Sequence, residues 1–575
     1  MAETLLSPGV LARENDQSFI QGQPVERGAA LIGPSTKGPV EIPTIIGSFS
    51  EYTAVFGGSV ESGSNLYSYF NSIAASNYFQ NGGNSLLVTR VTSGSFSPAV
   101  SSTIATGSGG PTDGLSPFVL ETISEGAIMN TGTTLLSGGA LATGSSDNIR
   151  WEIAGVNTSS GTFSLLVRRG DDTTNSKVVV EQYNNLSLDP YSSNYISKVI
   201  GDVDHTLVND GSDYYIQESG SYANASRFIR VKQVNYNTPR YFDNTGTAKN
   251  EFTGSLPVVG SGSFNGAVGL NIPTGRAANY YNNISSADSQ GLEGTDYTNA
   301  ISLMSNVDEY KYNVIAVPGL LNSEHSTQIT SIVNNTIARG DSISVIDLVK
   351  YNTTISTAIT QASGFDSSYA ATYWPWLQTI DPNIGEQVWI PASTMVPGVY
   401  AFTDASSDPW FAPAGITRGG LGQVTRAERK LSAGNRDSLY EANINPIATF
   451  PQSGVVVFGQ KTLQKRASAL DRINVRRLLI SLKSFISQIA DNLVFEQNSA
   501  STRNNFLSQV NPYLESVQQR QGLYAFKVVM DDTNNTPDVV DRNELIGQIF
   551  IQPTRTAEYI MLDFNVLPTG ATFPA

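Results

Sequence analysis

Residues 312–349 constrain the fold more than any other stretch of the chain. YNVIAVPGL reads as a strand, HSTQITSIVNNTIARG as a helix ending at Gly340, and SISVIDLV as a second strand. A strand, helix and strand in that order close a parallel pair through a right-handed crossover. The middle of the chain is therefore expected to hold an α/β body.

Residues 25–95 read as an earlier part of the same kind of structure, with short strands and Gly/Pro turns in VERGAALIGPSTKGPVEIPTIIG. In SNLYSYFNSIAASNYFQNGG, Leu66, Tyr69, Phe70 and Ile73 fall at helical spacing and Gly82-Gly83 ends the pattern. SLLVTRV then reads as a strand. From about 96 the texture changes to Gly, Ser, Thr and Asp separating short runs such as NIRWEIAGV, TFSLLVRRG, KVVVEQY and RFIRVKQV. Trp151/Ile153 and Phe163/Leu165/Val167 alternate with the period of two expected of half-buried strands. This is the pattern of an inserted β-rich unit, after which the α/β body resumes.

In the last 110 residues, Asp471 is a plausible cap for an amphipathic helix carrying Val475, Leu478, Leu479, Leu482, Ile486, Ile489 and Leu493. A second helix carries Phe506, Val510, Leu514 and Val517, with Gly522 as its stop. Three strands follow: LYAFKVVMD, LIGQIFIQ and AEYIMLDFNVL, the last of them beyond Pro553. The fold class is thus α+β and multidomain. The expected divisions are an extended arm at 1–22, a middle domain at 23–95 and 276–417, an inserted β-rich outer domain at 96–275, an inner α/β domain at 418–552 and a terminal strand at 553–575.

Composition excludes several function classes. The 575 residues contain no cysteine, which removes disulfides, thiolate metal sites and cysteine nucleophiles. His205 and His325 are the only histidines, too few for a His-based metal site or catalytic triad, and both are expected to be ordinary surface or loop residues. The start MAETLLSPGVLARENDQ lacks a basic segment followed by an apolar one, and no 18 uncharged apolar residues run together, so neither a secretion signal nor a membrane span is expected. A formal charge of -15 argues against a general nucleic-acid binder. The charge is also segregated: residues 1–417 carry a net -18, whereas 418–483 carry 12 basic and 4 acidic residues. The C-terminal part is built for a different electrostatic neighbour.

Specific stretches of this C-terminal part, INVRRL at 473–478, DTNNTP at 532–537 and the pair IQP and EYI at 551–560, resemble the tail sheath family of contractile phages and related injection systems. LLSPGV at 5–10, NLSLDP at 185–190, YAATYWPWL at 369–377 and IPASTMVPGVYAFTDASSDPWFAPAG at 390–415 extend the resemblance, which is weakest over 96–180. The resemblance implies a structural subunit, not an enzyme, that needs no cofactor. It would form hexameric rings stacked helically around a tail tube, between baseplate and tail terminator proteins, in a virion tail assembled in the host cytoplasm. It further implies that the N-terminal arm and C-terminal strand are donated to neighbouring copies and complete the sheet of the inner domain.

Two features of the residues fit that picture. Leu5, Leu6, Val10 and Leu11 surround a Pro8-Gly9 break without a core of their own. In the terminal strand Tyr559, Met561 and Asp563 face one way and Ile560, Leu562 and Phe564 the other, so an apolar face needs cover and an unpaired edge needs a partner. The basic residues Lys465, Arg466, Arg472, Arg476, Arg477 and Lys483 are candidates to face an acidic tube. Arg476 and Arg477 could equally solvate a helix face or pair with local acids.

Other chemistry is disfavoured. GITRGGLGQV at 415–424 lacks the ending of a phosphate-binding loop, and neither NDGSD nor DDTNNTPDVVD has calcium-loop spacing; both suit Asx turns. Tyr373, Trp374, Trp376, Trp389, Tyr400 and Trp410 suit interdomain packing better than a sugar site. Two other functions stay open: a β-rich surface-layer protein or adhesin, and a hydrolase using paired carboxylates.

Overall fold

The computed structural model describes residues 28–62, 65–211, 213–270 and 281–560. An eight-stranded sheet forms the body. Its spatial order is Thr44–Ile46, Leu86–Arg90, Ala29–Gly33, Val314–Leu321, Ile343–Asp347, Ala370–Trp374, Asn445–Phe450 and Gly454–Val457. The six inner strands run parallel, and the two outermost pair antiparallel to their neighbours. Helix Ser326–Arg339 connects Val314–Leu321 to Ile343–Asp347, and Gly340 ends it in the left-handed conformation at φ 68°. This is the βαβ unit that the sequence predicts.

Strand geometry turns alternate side chains to opposite faces, so the sheet divides the body into two cores. Ala29 and Leu31 enter one with Phe70, Ile73, Val399 and Tyr400; Ala30 and Ile32 enter the other with Ile301, Ile329 and Ile332. Helices Phe70–Gln80 and Val396–Ser406 cover the first face, and Thr298–Leu303 and Ser326–Arg339 cover the second.

The chain leaves the body after Arg90 and builds a seven-stranded antiparallel sheet, in the order Val179–Ser187, Thr162–Arg169, Ile149–Asn157, Gly260–Asn265, Pro98–Ser101, Phe118–Glu125 and Ile229–Val234. Its own core gathers Phe118, Trp151, Ile153, Phe163, Leu165 and Val167. Arg168 lies almost wholly inside, with bonds to Asp172 and Glu152 of 2.7 Å that compensate its buried charge.

Two local expectations are corrected. Residues 65–68 form a strand paired with Ser59–Ser62, and the helix begins only at Phe70, because the spacing of Leu66 with Tyr69 spans a hairpin end. His325 is a loop residue, as expected, but not a surface one: it is buried just before helix Ser326–Arg339, where its Nδ1 accepts the Leu321 amide at 3.3 Å.

Candidate assembly surface

The C-terminal unit is built on two antiparallel strands and two helices. Helix Ile473–Asp491 and helix Ala500–Gln519 bury Leu478, Leu482, Phe485, Ile489, Phe506, Val510, Leu514 and Val517 against each other, and Trp410 from the body joins this core. The helical spacing in the sequence selects most of these residues correctly. Strand Leu523–Val529 pairs with Gln548–Pro553, and Phe526, Val528, Ile549 and Ile551 pack on the helices. Among the described residues no other strand joins this pair; the Tyr524 carbonyl accepts the Gln518 side-chain amide at 2.8 Å and the Val529 carbonyl that of Asn534 at 2.8 Å. Its outer face shows Tyr524 and Phe550, 64% and 57% exposed.

Arginines join this unit to the body. Arg476 lies 3.9 Å over the Tyr369 ring and bonds the Ser368 hydroxyl, while Arg477 lies 4.6 Å over the Tyr400 ring and bonds Asp404. Arg520 lies 4.8 Å over the Trp410 ring and bonds Asp408 at 2.7 Å. Each cation meets both a ring face and an oxygen, which suits a partly dry contact. A cleft of about 830 Å³ remains between the body and the two helices, lined in part by Val314, Asp404, Trp410, Tyr513 and Arg520.

The expected tube contacts must be revised accordingly. Arg476 and Arg477 are each 4% exposed and cannot present charge to an outside partner, because the body covers that side of the helix. Arg472 is half-buried and paired with Glu558 and Asp471. Lys465, Arg466 and Lys483 are exposed. Lys465 and Lys483 flank one loop: the Lys465 ammonium donates to the Ser363 carbonyl at 2.8 Å, and the Lys483 ammonium to the Tyr369 hydroxyl at 3.3 Å.

Of the expected exchange residues, Tyr559 and Ile560 are both 76% exposed and belong to no strand. Leu5, Leu6, Val10, Leu11, Met561, Leu562 and Phe564 lie outside the described residues. The residue that the sequence reading missed is Glu558. Its carboxylate receives Arg472 at 2.7 and 3.0 Å, the Tyr440 hydroxyl at 2.9 Å and the Gln460 amide at 3.0 Å. Burial opposes its ionisation, yet the bonds from Arg472, Gln460 and Tyr440 prevail and hold the carboxyl below its usual range. The signal in the sequence was the alternation of Thr554, Thr556 and Glu558 with Arg555 and Ala557, too short to stand out by itself.

The aromatic residues weighed above as a sugar site, Tyr373, Trp374, Trp376, Trp389, Tyr400 and Trp410, are all buried in the cores. Asp531 accepts the Thr533 amide at 2.9 Å, an Asx turn. Among the described residues no cluster of His, Asp and Glu has metal-ligand geometry, and no helix is long and apolar enough to cross a membrane.

Comparison with known proteins agrees with this architecture. Residues 290–463 match the phage tail sheath protein central domain and residues 466–567 the phage tail sheath C-terminal domain. The tail sheath protein of Vibrio phage KVP40 is 42% identical over 185 residues, covering 32% of this chain and 28% of that protein. The tail sheath protein of Enterobacteria phage T4 is 36% identical over 229 residues, covering 40% of this chain and 35% of that protein. The chain thus spans about a third of the length of these curated relatives. The crystal structure of a sheath tail protein from Listeria innocua shares the fold, with a TM-score of 0.51 at 11% identity over 92% of this chain and 95% of that one. Residues 290–463 and 466–567 of this chain thus resemble the central and C-terminal domains of phage tail sheath proteins, set side by side in the same order.

Proposed function

We propose that this chain is the structural subunit of a contractile tail sheath, polymerising as stacked hexameric rings around a tail tube and contracting to drive that tube through a target envelope. Its partners are further copies of itself, the tail tube protein, and the baseplate and tail terminator proteins; its place is the virion tail, after assembly in the host cytoplasm. The observation that supports the reading is the strand pair Leu523–Val529 and Gln548–Pro553, which no other described strand joins and whose exposed face carries Tyr524 and Phe550. The outer edge of such a two-stranded pair is a template for strands from other copies. A head-to-tail contact that does not close on itself generates a helical array. The donated segments of this reading are the N-terminal arm, 1–22, and the C-terminal strand, 553–575.

Electron microscopy of the purified protein tests this. Striated hollow cylinders are expected from the full chain, and dispersed monomers from chains lacking 1–20 or 559–575. Normal cylinders from either truncation would refute strand donation.

A further inference from the structure

The segment after the last described strand is strapped to the body in a regular way. Thr554 is tied at one end: its amide donates to the Gly522 carbonyl at 3.2 Å and its hydroxyl to the Gln521 carbonyl at 2.7 Å. Thr556 accepts from the Gln460 amide at 2.5 Å, and Glu558 receives Arg472, Tyr440 and Gln460. Thr554, Thr556 and Glu558 are half-buried while Arg555 and Ala557 are exposed, the period of an extended chain lying on a surface. The alternation stops at once after Glu558, since Tyr559 and Ile560 are both 76% exposed.

The pocket under Glu558 is shaped for a carboxylate. Arg472 presents two donors to its two oxygens, a fork geometry that a lysine could not supply. Tyr440 is itself held, with the Lys461 ammonium 4.5 Å from its ring and bonded to its carbonyl at 2.7 Å. Tyr440, Gln460 and Arg472 come from three separate parts of the body and inner unit, so the seat exists only in the folded subunit.

We infer that Arg472, Tyr440 and Gln460 form a carboxylate seat that holds Glu558 of the same chain as the fixed root of the C-terminal arm, so that only residues beyond 558 cross to another copy. The inference rests on the strand-donation reading above and adds to it where the crossing begins. A root held by charge-assisted bonds sets the direction in which the arm departs, and keeps Pro553–Glu558 with its own subunit however the neighbours move.

The cysteine-free chain makes the test direct. Gln460→Cys with Thr556→Cys, assembled into cylinders and treated with a short bis-maleimide, should link within one chain: a single subunit on a denaturing gel, with the peptides that carry 460 and 556 found joined by mass spectrometry. A ladder of linked subunits, or no link at all, would overturn the seat. In the free subunit, Glu558→Ala should speed tryptic cleavage after Arg555 by about tenfold, the order expected for losing charge-assisted bonds, with cleavage elsewhere unchanged. Unchanged cleavage after Arg555 also overturns it. Faster cleavage together with wild-type assembly overturns the seat's part in arm donation. Chains ending at 558 separate the two readings: if they still form cylinders, strand donation fails, whereas the link and cleavage results judge the seat by themselves.

Discussion

Asp347 ends its strand with a carboxyl wholly enclosed by the body, where Ser393 supplies an amide at 3.1 Å and its hydroxyl. Burial outweighs these bonds and pushes the carboxyl up to about 7. The folded state therefore holds this proton more tightly than the unfolded chain does. The associated stability is fully present below about pH 4 and is lost as pH rises through about 7. Between pH 5 and 8 the unfolding free energy of the wild type should fall by about 3 kcal/mol relative to Asp347→Asn, measured by denaturant titration at each pH. Parallel curves for the two proteins would show that Asp347 is already ionised in the fold. Arg477 is a second such residue: Arg477→Ala removes the cation between the Tyr400 ring and Asp404 and should cost about 2–4 kcal/mol, read as a lower denaturation midpoint. Its role was the least legible in the sequence. The helical spacing placed Arg477 beside apolar neighbours, but its partner Asp404 stands 73 residues away, and Ser368, partner of Arg476, 108 away. Exposure and burial of a basic residue are decided by such distant contacts, which periodicity does not encode.

Elements were read more successfully than residues, because each is specified by local spacing. The strand, helix and strand of 314–347 and the apolar stripe of Ile473–Asp491 carry their periods in the sequence. Ends were harder. Helix Ala500–Gln519 stops before Gly522, with Gln521 taking the positive φ of 66° and the Gly522 amide closing on the Val517 carbonyl at 2.8 Å. The Gly is needed for close approach instead: a Cβ there would stand 2.6 Å from the Val517 side chain. The same helix runs through Pro512, which cannot donate to the preceding turn. Ser508 and Pro512 both lie on the exposed face, so water can satisfy the orphaned carbonyl and the helix survives. Pro512→Ala should then restore a hydrogen bond and raise stability by about 1–3 kcal/mol in denaturant titration. A drop in stability would mean that the ring's packing against the cleft outweighs its cost to the helix.

At the scale of the whole molecule, charge is segregated along the chain. Acidic residues dominate 1–417, whereas the basic excess lies in 418–483, which runs from the last strands of the body into helix Ile473–Asp491, and part of that excess is used internally. Arg476, Arg477 and Arg520 join the inner unit to the body, and Arg472 holds Glu558. Of the six basic residues expected at the tube, Lys465, Arg466 and Lys483 are exposed, with Lys465 and Lys483 arranged around the loop from Ser363 to Tyr369. Exposed charges of this kind contribute little to the stability of the subunit itself but steer and register a complementary surface, and salt screens them. Reversing all three to Glu should therefore leave the unfolding transition within about 0.5 kcal/mol of wild type. It should also weaken association with tail tubes and flatten the dependence of that association on ionic strength. Co-sedimentation with tubes across a salt series measures both. If the triple variant binds tubes as the wild type does at every ionic strength, the tube must meet a face of the subunit other than the one that carries Lys465, Arg466 and Lys483.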